Sequence, residues 1–164
     1  MKIAFIITAS VTLISAILMG SIAENFYFSD GHHFSILDIE MADSKDDLAL
    51  MFSAMNSDVL ESVRLHLHVD YVFMVGCYPF VALVCFAQAR YSSGLWKKVF
   101  TALAYAQVLP FAFDIIENIS LEQWLDCTGC GLNFFVFRFM VIAKFSIALG
   151  AYLVCSLLLL YRSL

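Results

Sequence analysis

The chain has 164 residues, of which 62% are hydrophobic and 14% are charged, and its formal net charge is −5. This composition is typical of an integral membrane protein with room for one helical bundle. The acidic balance excludes nucleic acid as an expected partner and leaves membrane lipid as the expected surroundings.

Four long apolar segments follow one another along the chain, and each is long enough to cross a hydrocarbon core of about 30 Å. We predict transmembrane helices at residues 2–22, 69–89, 99–118 and 132–161. The predicted fold class is therefore an all-α membrane protein, in which residues 1–164 form a single four-transmembrane-helix antiparallel bundle.

Charge is segregated between the two ends of these segments. All fourteen acidic residues lie between positions 24 and 126. Five basic residues cluster at the ends that the acids avoid: Lys2, Arg90, Lys97, Lys98 and Arg162. By the positive-inside rule, both termini and the link at 90–98 are cytoplasmic. We predict a multi-pass protein of the bacterial cytoplasmic (inner) membrane with an acidic extracytoplasmic side.

The first segment has a second interpretation, as a secretory signal peptide. It has a basic start, and Ser21-Ile22-Ala23 before Glu24 fits a cleavage site. Its apolar run is longer than the usual hydrophobic region of about 7–15 residues. We therefore favour a retained first span, whereas cleavage would leave three spans.

The extracytoplasmic loop at 23–68 contains one predicted amphipathic helix. Ser44 and Asp47 form an S-x-x-D capping pattern. Apolar residues follow with helical spacing: Leu48, Met51, Phe52, Met55 and Val59. We predict a helix at about 45–56 that lies flat on the membrane or packs over the outer mouth of the bundle.

Two prolines lie inside predicted spans, Pro79 in the second and Pro110 in the third. Proline removes one backbone hydrogen bond and clashes with the preceding turn of a helix. We therefore predict a kink in each of these two helices.

Polar side chains within the spans define a candidate ligand or ion site. The candidates are Asp70, Asp114, Glu117, Asn118, Arg138 and Lys144. Ionised groups inside a bilayer are costly, so these side chains should face the bundle interior and pair. We predict that Asp114 pairs with Arg138 near the outer leaflet, with Lys144 deeper.

The three carboxylates at this site outnumber the available basic partners. A retained proton, a bound cation or a cationic ligand would balance the charge. A purely structural network and a catalytic acid/base pair stay open as alternatives. A divalent metal on His66, Asp70 and Glu117 is a further hypothesis, because zinc and iron accept imidazole and carboxylate ligands.

Cys127-Thr128-Gly129-Cys130 is a C-x-x-C motif just before the fourth span. Such a motif forms a local disulfide, a redox pair or half a zinc site. Its position resembles that of the cysteine pair in four-helix, quinone-linked thiol oxidoreductases of the vitamin K epoxide reductase type. Those enzymes also need a second cysteine pair, which the loop at 23–68 lacks, so a partner protein would have to supply it. We favour a local disulfide between Cys127 and Cys130.

Three short stretches carry a family resemblance: Ser35-Ile36-Leu37-Asp38-Ile39-Glu40, Asp70-Tyr71-Val72-Phe73 and Asp114-Ile115-Ile116-Glu117-Asn118. Together they resemble uncharacterised bacterial four-helix integral membrane proteins in which a D-x-x-E-N pattern ends the third span. The resemblance implies a single four-helix domain with a retained first span. It implies no activity, ligand or partner.

Our primary functional hypothesis is a non-enzymatic membrane protein with an outward-facing, buried acidic and arginine-containing site. That site would bind an ion, a proton or a small polar or lipid head group. One alternative is an accessory subunit whose Phe-rich surface packs in a larger membrane protein complex or a homo-oligomer. The other is a thiol-disulfide oxidoreductase that uses Cys127 and Cys130.

Overall fold

The computed structural model describes residues 2–127 and 130–163, with side chains described through Ser156. Its regular elements are helices: α1 (Lys2–Ala23), α2 (Ile36–Glu40), α3 (Lys45–Ser53), α4 (Ser57–Arg90), α5 (Gly94–Ala106), α6 (Val108–Asp126) and α7 (Phe134–Ser163). In this part of the chain four helical segments are long and apolar enough to cross a membrane, α5 and α6 together making one of them. The prediction of an all-helical protein with four such segments is confirmed.

Two of these helices extend well beyond the apolar runs that revealed them. Helix α4 begins at Ser57, twelve residues before the predicted start at 69, because Asn56 accepts a hydrogen bond from the Val59 backbone amide and caps it. Helix α6 ends at Asp126, eight residues after the predicted end at 118. The apolar runs therefore gave the spans but not the helix ends.

The third span is interrupted at Gln107, the single residue between α5 and α6. Pro110 has no amide hydrogen to donate to the Ala106 carbonyl, and the regular hydrogen bonding changes at Gln107 although its backbone stays in the right-handed helical region (φ −63°, ψ −15°). The Gln107 side-chain amide donates to the Leu103 carbonyl at 3.2 Å. The Gln107 side chain thus replaces the Gln107 backbone amide as the donor to Leu103. That backbone amide donates to the Ala104 carbonyl instead.

The segments between α1 and α4 form a folded cap over one end of the bundle, which we call the acidic end. Helix α3 is capped by Ser44, which accepts from the Asp47 amide at 3.1 Å. A shared apolar core joins the cap to α4, α6 and α7. Its fully buried members include Phe26, Ile39, Leu48, Trp124 and Phe137. The stripe predicted for α3 thus packs on the bundle.

The opposite end, which we call the basic end, has its own small core where α4, α5 and α7 meet. Phe100, Cys85 and Cys155 are buried there, and the two sulfur atoms are 3.4 Å apart. Helix α1 packs mainly along α4, and its last residues, Ile22 and Ala23, also contact the core of the cap. Their backbones approach so closely that a Cβ on Gly76 would lie 2.7 Å from the Thr12 backbone nitrogen.

Candidate functional site

A single lysine lies at the centre of the most polar part of the bundle. Buried residues of α7 recur at helical spacing, and Lys144 continues the stripe that Phe137, Met140 and Val141 begin. Only 5% of Lys144 is exposed. The face of α7 that packs on the neighbouring helices therefore also places the Lys144 ammonium group in the interior.

Three carboxyl groups surround this ammonium group. The distances from Lys144 Nζ are 2.6 Å to Asp114 Oδ1, 2.8 Å to Glu117 Oε2 and 3.4 Å to Glu40 Oε2. Glu117 is 0% exposed, and the other two are buried. We call Glu40, Asp114, Glu117 and Lys144 the carboxylate–lysine cluster.

Asp114 has a hydrogen-bond donor for each carboxylate oxygen. Lys144 donates to Oδ1, and the Tyr78 hydroxyl donates to Oδ2 at 2.6 Å. These two hydrogen bonds satisfy both oxygens of the carboxyl group. Asp114 is therefore the natural counter-ion of Lys144.

Glu117 is differently placed. Neither of its oxygens has a donor in hydrogen-bonding geometry among the described residues, although Oε2 is near Lys144. Its carboxyl group and that of Glu40 both approach the Lys144 ammonium group, with Oε2 atoms 2.8 Å and 3.4 Å from Nζ. Two buried carboxyl groups gathered at one ammonium group repel each other unless one of them holds a proton. The geometry thus marks this pair as the place where a proton fits.

Glu40 reaches the cluster from the cap, at the last position of α2. This five-residue helix is fixed by a capping box: Ser35 accepts from the Asp38 amide, and the Asp38 carboxylate accepts from the Ser35 amide at 2.7 Å. Burial raises the pKa of Glu40, while attraction to the Lys144 ammonium group opposes that rise. Glu40 was not among the residues predicted from the sequence. A capping box followed by a lone acid after apolar Ile39 is the signal that could have found it.

A second polar arm joins α4 to α6 beside the cluster. Asn118 donates to Asp70 Oδ2 at 2.8 Å and to the Leu67 carbonyl at 3.4 Å. Asn118 lies one residue after Glu117 on the same helix, so the arm and the cluster share α6. Asp70 is only partly buried. The predicted site residues on α4 and α6 are therefore neighbours, as their spacing indicated.

The predicted pairing of Asp114 with Arg138 is wrong. Arg138 lies beside the cap, where Nη1 donates to the Ala42 carbonyl at 3.1 Å and to Asp43 Oδ1 at 3.2 Å. It is one residue off the buried stripe of α7, which turns its side chain to another face. Lys144, not Arg138, is the basic partner of Asp114.

Helix length explains that error. Asp114 is twelve residues before the end of α6, which is about 18 Å at 1.5 Å per residue. Lys144 is ten residues after the start of α7, about 15 Å, whereas Arg138 is only four residues in, about 6 Å. With α6 ended eight residues too early, Asp114 was placed too near the surface and matched to Arg138.

His66 is not a metal ligand in this arrangement. Its ring packs against Phe26 with centroids 5.5 Å apart, and its Nδ1 atom is buried with no hydrogen-bond partner among the described residues. Across the described residues, no three His, Cys, Asp or Glu side chains are placed to hold a metal ion. The structure therefore does not gather His66, Asp70 and Glu117 into the hypothesised divalent metal site.

Cys127 and Cys130 are joined by a disulfide at the surface of the acidic end. The turn is held from one side by Trp124, whose indole nitrogen donates to the Cys130 carbonyl at 2.6 Å. Lys45 of α3 donates to the same carbonyl at 3.2 Å. This motif is separate from the carboxylate–lysine cluster.

Comparison with known proteins adds no further assignment. No protein-family model matches the chain, and neither curated proteins nor solved structures gave a match.

Proposed function

We propose that the protein is a multi-pass protein of the bacterial inner membrane that binds and releases a proton at the carboxylate–lysine cluster. The observation that carries the proposal is the Glu117 carboxyl group, which is 0% exposed and shares the single Lys144 ammonium group with the buried carboxyl groups of Glu40 and Asp114. Segregation of acidic and basic residues supports cytoplasmic termini, so the acidic end would face outward.

Charge balance supports a proton rather than a metal ion. Three ionised carboxylates around one ammonium group would leave two negative charges uncompensated. Burying unpaired charge is costly, and a carboxyl group that takes up a proton avoids the cost. Lys144 already occupies the central position where a cation would sit. A proton on the Glu40–Glu117 pair lowers the excess negative charge and leaves Lys144 in place.

Proton binding at this pair has a structural readout. Glu40 belongs to the cap, whereas Glu117 and Lys144 belong to the bundle. Loss of the shared proton places two negative carboxylates side by side and favours release of Glu40 toward water. We therefore propose that α2 is held down when the proton is bound and loosens when it is lost, which makes the protein a sensor of external pH.

Infrared difference spectroscopy of the protein in lipid vesicles tests the proposal. A pH step should give a carbonyl band from a buried protonated carboxylic acid, and Glu40→Gln and Glu117→Gln should each alter or abolish it. Glu61→Gln is the matched control, because Glu61 is an exposed glutamate on α4. A spectrum with no protonated acid band, or one that only Glu61→Gln changes, would refute the proposal.

The disulfide supports a second candidate function, thiol-disulfide exchange. Cys127 lines an open cavity of about 450 Å³ between α3 and α6, which gives a partner access. In that reaction the disulfide takes two electrons and two protons from a partner's dithiol, whose own disulfide forms. A quinone then takes the same electrons and protons from the Cys127–Cys130 dithiol and becomes a quinol.

Reduced protein mixed with a soluble ubiquinone analogue distinguishes the two candidates. Exchange chemistry predicts quinol formation that Cys127→Ser abolishes and Glu117→Gln does not affect. If wild-type protein and Cys127→Ser leave the quinone equally oxidised, the disulfide is structural only.

A further inference from the structure

Two cavities at the basic end of the bundle share one wall. The larger, about 540 Å³, is lined by Leu83, Phe86, Ala89, Arg90, Lys97 and Thr101. The second, about 270 Å³, is lined by Lys2, Phe5, Ile6, Leu83 and Ala87. Leu83 belongs to both, so the two cavities lie on either side of α4, between it and α5 and between it and α1.

The larger cavity is amphipathic. Arg90 and Lys97 supply positive charge at its rim, and Thr101 supplies a hydroxyl group, whereas Leu83 and Phe86 give it an apolar floor. The second cavity continues the apolar surface and has one further cation, Lys2. A ligand that fills both needs an anionic group attached to hydrocarbon chains.

In the part of the chain that the structure describes, the cations around these cavities have no counter-ion. No Asp or Glu occurs in the sequence before 24, between 71 and 113, or after 126. Among the described residues, the ion pairs all lie at the acidic end or in the cluster. An anionic ligand therefore meets positive charge that no Asp or Glu side chain of these segments competes for.

We propose that this end of the bundle binds one anionic phospholipid. Its phosphate group lies between Arg90 and Lys97, and its two acyl chains run along the two cavities on either side of Leu83. Basic pockets between transmembrane helices are suited to anionic head groups, because surface cations attract them and adjacent grooves accept the chains. The proposal depends on the membrane location but not on proton binding at the other end.

Native mass spectrometry of the full chain in detergent, titrated with phosphatidylglycerol or phosphatidylcholine, tests the site. We expect one phosphatidylglycerol to bind in preference to phosphatidylcholine. Arg90→Gln and Lys97→Gln should each weaken that binding about fivefold, since one basic residue near an anionic surface contributes about 1 kcal/mol. Lys98→Gln is the matched control: Lys98 is exposed beside Lys97 but lines neither cavity.

The contribution of the acyl chains needs a variant without a charge change. Leu83→Trp fills the shared wall and should weaken phosphatidylglycerol binding while the helical content by circular dichroism is unchanged. Soluble glycerol phosphate should compete poorly, because it has no chains. Equal weakening by Arg90→Gln, Lys97→Gln and Lys98→Gln, or no preference for phosphatidylglycerol, would overturn the site in favour of diffuse surface attraction.

Discussion

Lys144 and Arg138 are both basic residues of α7, yet their surroundings differ sharply. Lys144 is enclosed by three carboxyl groups within the bundle. The Arg138 side chain is 35% exposed, and its carboxylate partner Asp43 is 88% exposed. An exposed ion pair contributes little to stability, whereas removal of one member of a buried set leaves charge unpaired. The two residues therefore give a direct comparison.

We predict that Lys144→Met lowers the free energy of unfolding by about 3–5 kcal/mol, the usual cost of breaking a buried ion pair. The matched variant Arg138→Met should cost no more than about 1 kcal/mol, because its ion pair is screened by water. Equilibrium unfolding in mixed micelles measures both. Equal losses would mean that Lys144 is not the central counter-ion of the cluster.

The raised pKa of Glu40 makes stability depend on pH with a definite sign. Its burial causes the folded chain to bind the proton more tightly than the unfolded chain does. This contribution is fully present below the ordinary glutamate pKa of 4.5 and is lost as the pH rises through the higher folded value. Stability falls with rising pH because the unfolded chain releases this proton at a lower pH than the folded chain does.

We therefore predict that the wild-type unfolding free energy falls as the pH rises above about 4.5, and that Glu40→Gln makes the fall shallower. Thermal or chemical unfolding across a pH series supplies the slopes. Glu61→Gln should keep the wild-type slope, as Glu61 is exposed. An unchanged slope in Glu40→Gln would place the titrating group elsewhere.

Part of the site was predictable because its residues lie on one helix. Asp114, Glu117 and Asn118 are three and four residues apart, and that spacing alone puts them on one face. The partner across the interface was not predictable in the same way. Choosing Lys144 over Arg138 required the true end of α6, and including Glu40 required the fold of the cap, which depends on contacts distant in sequence.

At the scale of elements, α1 is attached to α4 by a close contact between the two helices. Helix α1 is almost entirely exposed to the surroundings, with Ser15 its buried residue. Its contact with α4 passes over Gly76, where any added Cβ would meet both the backbone nitrogen and the side-chain oxygen of Thr12 within 2.8 Å. Small residues at helix interfaces in membranes allow such close approach.

We predict that Gly76→Ala destabilises the protein and weakens the attachment of α1, because the Thr12 backbone must move away. Gly150→Ala is the control: it lies within α7, and a Cβ there meets nothing within 4 Å, so it should be neutral or slightly stabilising. Thermal unfolding in detergent compares the two. Similar melting temperatures for both variants would contradict the tight packing of α1 on α4.

The break at Gln107 shows what a sequence pattern leaves out at this scale. Pro110 predicted a disturbance in the third span, and the chain is disturbed there. Whether proline bends a helix or divides it depends on which other donors satisfy the freed carbonyl groups. Here the side chain of Gln107 supplies one, and that contact is not visible in apolar periodicity.

The whole molecule is polarised from end to end. The acidic end carries the folded cap and the disulfide, and the basic end carries Lys2, Arg90, Lys97 and Lys98. We propose that this asymmetry sets the orientation in a bacterial membrane, because loops rich in lysine and arginine stay in the cytoplasm.

We predict that Ser57→Cys, in a background without free cysteines, reacts with an impermeant maleimide in intact cells. Ser93→Cys should react only after the cells are permeabilised. Both positions are exposed, at opposite ends of the bundle, so access to the reagent is the sole difference between them. The reverse pattern would invert the topology and place the cap in the cytoplasm.

The length of α4 has a consequence for how the protein is assembled. Its 34 residues extend about 51 Å, whereas a hydrocarbon core is about 30 Å thick. One continuous helix therefore belongs to both the bundle and the cap, and Val59, Val63 and Leu67 on it are part of the core of the cap. Removal of the segment 24–56 would leave these apolar side chains in water. We therefore expect the cap and the bundle to fold as one unit.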